Sequence, residues 1–222
     1  MPGKSLKVAV TAVVAAGALA GCGGQTRVGS AALVGGDRIT VTSLDRTVRD
    51  WRGQFKDDPI ANQIRANAGG LAPGIGGQDS ETDMQGALSL LVNFRVADRV
   101  ARRAGVSVPD GLADQTAALM DQRGGAASIT LASGLPRSRT RDLARFIATQ
   151  TVVMQKFGAD LNNAQSPLTQ RAAQQWGQLF QQTADGMHIK INPRFGRYDP
   201  TKVDIGPVAY ELSSAETGTA DT

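Results

Sequence analysis

Apolar positions recur along this chain with a helical spacing over most of its length and with a strand-like alternation only near its two ends. Near the N-terminal end, Ala32-Leu33-Val34 and Arg38-Ile39-Thr40-Val41 are short β-prone runs on either side of Gly35-Gly36-Asp37, which predicts a tight hairpin. Leu44, Val48, Trp51 and Phe55 then fall on one helical face, with Thr42 or Ser43 as the expected cap. Residues 60–68 are expected to add a turn or two of helix before the glycine-rich loop of residues 69–77.

From Ser80 the period returns with Met84, Leu88, Leu91, Val92, Val96 and Val100, and Gly105 is a suitable terminator. A further helix follows to about Gln122, then a short one over 126–133 and a long one from about Ser138 to Phe157. Residues 162–167 form a polar break before a helix over 168–184 that carries Trp176, Leu179 and Phe180. After Asp185-Gly186 the alternation of Met187, Ile189 and Ile191 suits a strand that includes His188. Strands this far apart in sequence satisfy their backbone groups by pairing, so the 32–41 region is expected to meet 187–191. The fold class is therefore mainly α, a multi-helix body with a small antiparallel β element joining the N- and C-terminal strands.

The first residues tell a separate story. Lys4 and Lys7 precede an uncharged run, 8–18, with nothing larger than valine, which is the charged and apolar pattern of a secretory signal. The run is shorter than the roughly 20 residues a membrane-spanning helix needs. Leu19-Ala20-Gly21-Cys22 then resembles the lipobox of bacterial lipoproteins, where small residues admit the scissile backbone to a protease and the thiol takes a lipid in thioether linkage. The resemblance implies a diacylglyceryl group on Cys22, often with a further acyl chain, and two or more chains give stable anchoring. The expected arrangement is a signal peptide over 1–21, a lipidated tether over 22–30, a domain over 31–212 and a disordered tail over 213–222. The expected location is the extracytoplasmic face of a membrane, with the lipid bilayer as one partner.

Composition narrows the chemistry. Of 24 basic residues, Lys4 and Lys7 precede Cys22, which leaves 22 against 20 acidic ones. That near-balance, without aromatic interleaving, gives no nucleic-acid-binding surface. Cys22 is the sole cysteine and His188 the sole histidine, so neither a disulfide nor a cysteine metal site is available, and no metal or cofactor is expected. The glycines of 69–77 are not followed by the Gly-Lys-Ser/Thr of a phosphate-binding loop. Glu81, Glu211 and Glu216 are the only glutamates and form no catalytic pair by spacing, and Asp57-Asp58 reads as a helix end. No catalytic residue is assigned, and the chain is not expected to be an enzyme.

Four segments, "LVGGDRITVTSLD", "ADRVARRAGVSVPDGLADQTAALM", "LASGLPRSRTRDLARF" and "MHIKINPRFGRYD", taken in this order, resemble the N-terminal domain family of the periplasmic chaperone SurA, over roughly Val28 to Tyr198. That chaperone itself carries parvulin-type isomerase domains between its long helix and its closing helix and strand, where this chain has only residues 159–167. The resemblance therefore implies the peptide-binding helical core without the isomerase. Its expected partners are unfolded or newly exported polypeptides, held on a concave apolar surface. Among the larger apolar side chains, Phe94, Met154 and Phe157 are the candidates for that surface, Phe94 because it falls off the main apolar face of its helix. A non-enzymatic adaptor for one envelope or cell-wall partner is the competing expectation.

Overall fold

A computed structural model of the chain describes residues 28–67 and 80–208. The signal segment, Cys22, the glycine-rich loop of 69–77, Asp79 and the tail over 213–222 lie outside the described residues.

The fold begins with β1 (Ser30–Val34) and β2 (Asp37–Thr40), antiparallel, with Val34 opposite Asp37. Gly35 and Gly36 form the two-residue turn with φ of 58° and 96°, the pair of positive values that matches the twist of the flanking strands. The second edge of β1 is taken by β3 (Lys190–Ile191), also antiparallel, with Ala32 opposite Ile191. The sheet order is β2-β1-β3, so the expected meeting of the two ends takes place. Asn192 extends it: its N–H donates to the Ala31 carbonyl at 2.9 Å and its side-chain amide to the Ser30 carbonyl at 3.0 Å.

β3 is shorter than the alternation predicts. His188 has φ of 51° and lies exposed in the turn that leads into the strand, which corrects its reading as a strand residue. Met187 is nevertheless tied to the sheet, because its carbonyl accepts from the Gly35 N–H at 2.8 Å.

Seven α-helices are found among the described residues. α1 (Val41–Phe55) starts earlier than the sequence pattern indicated, since Thr40 caps it and its hydroxyl accepts from the Ser43 N–H at 3.1 Å. α2 (Pro59–Asn67) follows at once, and α3 (Ser80–Ala104) runs through the centre of the body. Leu88, Val92, Val96 and Val100 of α3 are almost wholly buried, each stabilising the fold by roughly 1.5–3 kcal/mol through burial. Gly105, with φ of 63°, ends that helix as expected.

α6 (Thr140–Lys156) and α7 (Pro167–Asp185) pack on α3, α4 (Asp110–Gln122) packs on α6, and α5 (Ala126–Ala132) packs between α2, α4 and α6. A single 3-10 turn over Arg137–Arg139 replaces the first turn anticipated for α6. Trp51 of α1 is buried, and its indole N–H donates to the Leu131 carbonyl of α5 at 2.7 Å. The main core joins the sheet to α1, α3, α5, α6 and α7. A smaller cluster, Met120, Ala126, Leu143 and Ala144, lies where α4, α5 and α6 meet.

One element has no counterpart in the sequence reading. β4 (Arg197–Asp199) and β5 (Asp204–Gly206) form a hairpin that packs on α3, where the Ser89 hydroxyl donates to Asp204. Gly196 is buried with φ of 123°, and a Cβ there would overlap the Gly206 carbonyl oxygen, so only glycine fits.

Candidate functional site

The register of α3 that sends Leu88, Val92 and Val96 inward leaves Phe94, Arg95 and Asp98 on its shoulder. β2 brings Asp37 and Arg38 to that shoulder from one side, and α6 with the turn before it brings Arg139, Asp142, Arg145 and Phe146 from the other. Between them is a cleft of 410 Å3.

Phe94 and Phe146 form its apolar wall. Both are half-buried, with ring centroids 5.6 Å apart, and Phe94 packs against both core clusters. The seam continues inward, since Phe146 meets Phe180 edge-on at 6.5 Å and Phe180 meets Trp176 at 5.3 Å. Such aromatic pairs add roughly 0.5–1.5 kcal/mol each beyond area burial, so the wall is stiff.

The rest of the lining is charged. Arg139 pairs with Asp142 at 2.8 Å, and Arg145 reaches Asp98 at 3.5 Å and Asp110 at 3.2 Å, which ties α3, α4 and α6 together. Arg95 is different: its guanidinium donates to the Leu91 carbonyl of its own helix at 2.7 Å and has no carboxylate within 4.0 Å among the described residues. Burial pulls its pKa below the ordinary arginine value; Asp37 opposes this most among the charges, Arg139 adds to it, and Asp142 and Asp98 oppose it. It remains a cation held against an aromatic wall, with unused donors directed among carboxylates.

The structure brings Phe94 to this cleft but not the other two candidates. Met154 and Phe157 lie half-buried at the C-terminal end of α6, packed against the main core, and Phe157 closes the helix through its N–H to the Val153 and Met154 carbonyls, both at 3.1 Å. This cleft is more charged than a concave apolar surface: seven of the eleven residues lining it are arginine or aspartate. Among the described residues, the large apolar side chains left exposed, Val28, Ile60, Leu119, Leu161 and Leu168, lie before β1, on α2, on α4 and around the start of α7.

Sequence reasoning missed Arg95, Arg139, Asp142 and Arg145, because charged residues on helix shoulders carry no periodic signal and their convergence depends on packing. Asp57-Asp58, read as a helix end, does follow the end of α1, and Asp58 also caps α2 from a buried position, accepting from the Ala61 N–H at 2.9 Å, the Ser128 hydroxyl at 3.0 Å and the Arg137 guanidinium at 3.1 Å. Its carboxyl pKa is lowered, first by the Ala61 hydrogen bond and further by Ser128 and Arg137, against the opposing effect of burial.

Among the described residues there is no group of three or more His, Cys, Asp or Glu arranged to hold a metal, and no helix long and apolar enough to cross a membrane. No family model matches the chain, and neither a curated protein nor a solved structure matches it.

Proposed function

We propose that this protein is a lipid-tethered, extracytoplasmic polypeptide-binding protein, related in design to the SurA N-terminal domain but without an isomerase, whose site is the cleft between α3, α6 and the N-terminal hairpin. The observation that carries this reading is the half-open Phe94–Phe146 wall beside Arg95 and its neighbouring charges. An aromatic wall next to an under-neutralised guanidinium suits a short polypeptide segment that carries an apolar side chain beside an acidic one. Binding of this kind involves burial of a modest apolar area at about 25 cal/mol per Å2 and charge-assisted hydrogen bonds, with no covalent step. Cys22 supplies the lipid that holds the protein at the membrane.

Two modes differ in breadth. Chaperone-like capture takes many unfolded chains; adaptor function takes one partner. The scatter of the exposed apolar side chains over separate elements favours a selective site.

Position-specific photocrosslinking tests the proposal. A photoreactive side chain replacing Asp142 in the cleft is expected to capture unfolded polypeptides from solution, whereas one replacing Leu119, exposed on α4, is not. Equal yields at the two positions, or none at Asp142, refute the assignment of the cleft. Capture of diverse unfolded chains at Asp142 selects the chaperone mode, and capture of one envelope protein selects the adaptor.

A further inference from the structure

A second surface, on the opposite side of Asp37 from the aromatic cleft, has a different character. Two adjoining clefts of 430 and 460 Å3 share Arg99, Arg102, Gly186 and Met187 and together form one shallow groove between the C-terminal half of α3, the β1–β2 turn and the entry to β3. Its rim carries Arg99, Arg102, Arg103 and Lys190, all exposed, with His188 beside them and Asp37 as the one lining carboxylate.

These cations are not neutralised by carboxylates of the protein itself. Arg99, Arg102, Arg103 and Lys190 make no ion pair among the described residues, and of their side chains only Arg103 has a hydrogen bond, to the Gln182 carbonyl at 3.3 Å. Arg102 and Arg103 complement the C-terminal end of the α3 dipole, which explains two of the four. Arg99 lies a turn earlier, and Lys190 comes from a strand more than 80 positions away, so the helix end does not account for the cluster. The contrast with α6 and the turn before it is sharp, since Arg139, Arg141 and Arg145 there are all matched by aspartates.

We infer that this groove is a docking surface for the phosphate-bearing headgroups of anionic phospholipids in the membrane to which the chain is tethered. Charge complementarity supplies the first argument, since a cluster of lysine and arginine without internal counter-ions attracts an anionic leaflet at short range. Chain length supplies the second and rests on the lipidation of Cys22 proposed above. The seven steps from Cys22 to Gly29 span at most about 25 Å, and the five residues of β1 cover about 17 Å from the tether to the turn that lines the groove. The groove thus lies within about 42 Å of chain from Cys22, short enough for the tethered body to turn it onto the bilayer surface. Headgroup contact would hold the body against the membrane and fix which way the aromatic cleft faces.

Vesicle co-sedimentation of the chain from Gly23 to Thr222, which holds every described residue and needs no lipid of its own, tests the inference. It is expected to bind vesicles of phosphatidylglycerol in phosphatidylcholine, to ignore pure phosphatidylcholine, and to be released by salt. Each basic side chain at an anionic surface strengthens partition about five-fold, so Arg99→Gln/Arg102→Gln/Lys190→Gln is expected to weaken binding about 100-fold. Arg46→Gln/Arg49→Gln/Arg171→Gln, which removes the same charge from exposed positions elsewhere, is expected to leave most of it intact. Equal losses in the two triple variants reduce the effect to net charge and overturn the inference. So does displacement by millimolar inorganic phosphate, which marks a free-phosphate site, or equally tight binding of a duplex oligonucleotide. The groove variant is also expected to crosslink clients at Asp142 as before; absence of vesicle binding with that crosslinking intact sinks the headgroup surface alone, and absence of crosslinking with vesicle binding intact sinks the cleft alone.

Discussion

Replacing Asp58 by alanine removes three hydrogen bonds at one atom group, and the structure sets the size of the effect. Loss of the α2 cap costs about 1 kcal/mol. Ser128, itself buried, loses its acceptor, which costs about another 1–2 kcal/mol. The Arg137 pair adds little, because the Arg137 side chain is 52% exposed and water screens it. The sum is roughly 2–3 kcal/mol. Asp58→Asn, which keeps a carbonyl oxygen for the Ala61 N–H, is expected to lose only about half of this, and Arg137→Ala at most about 0.5 kcal/mol. Equilibrium unfolding in urea, followed by the fluorescence of Trp51 and Trp176, measures all three at unchanged m-value. The pH dependence has a fixed sign. Because the folded pKa lies below the unfolded one, the carboxylate's contribution is present above about pH 4 and fades as pH falls through the folded value. The wild-type advantage over Asp58→Ala is therefore expected to shrink on acidification below pH 4. An Asp58→Ala variant within 0.5 kcal/mol of wild type at pH 7, or a difference that does not shrink in acid, refutes the reasoning.

Gly196→Ala is expected to destabilise by several kcal/mol or to lift the β4–β5 hairpin from α3, seen as faster amide exchange at Tyr198 and Ile205, since the added methyl meets the Gly206 carbonyl and the Ile205 side chain. Asn192→Ala is expected to cost about 1–2 kcal/mol by removing the bond to the Ser30 carbonyl and the side-chain acceptor for the Arg194 N–H, with the amides of β1 losing exchange protection first. The Tyr198 phenol, pushed up to about 12 by burial and then by Asp185 and Asp199, is expected to ionise late in an ultraviolet titration, in a step that Tyr198→Phe abolishes. Its folded pKa lies above the unfolded value, so the stability it contributes is complete below about pH 10 and declines as pH rises towards 12.

The helices were legible because each has an apolar stripe long enough to show a period: α3 and α4 start where expected, and α7 is capped by Ser166 at the edge of the polar break. The pairing of β1 with β3 was legible for a different reason, since two lone β-prone runs at the ends of a helical chain have few other partners. The β4–β5 hairpin was not, because three-residue strands such as Arg197-Tyr198-Asp199 show no alternation. His188 was misplaced because its left-handed backbone is imposed by the approach to the sheet and not by its own residue type. Of the site, only Phe94 stood out, as an aromatic residue off the apolar stripe. The arginines and aspartates that share its cleft come from β2, α3 and α6, and no local pattern records that convergence.

The strand order β2-β1-β3 also bears on how the molecule is made. Among the described residues, synthesis delivers β1 and β2 before all seven α-helices and β3 only after them. Throughout that interval one side of β1 is a bare edge with unmet amides and carbonyls, a template for pairing with another nascent chain. Completion of the sheet is thus a late, long-range event that slows folding, and a chain cut short before Lys190 retains the helices while leaving its first strand open to misassembly.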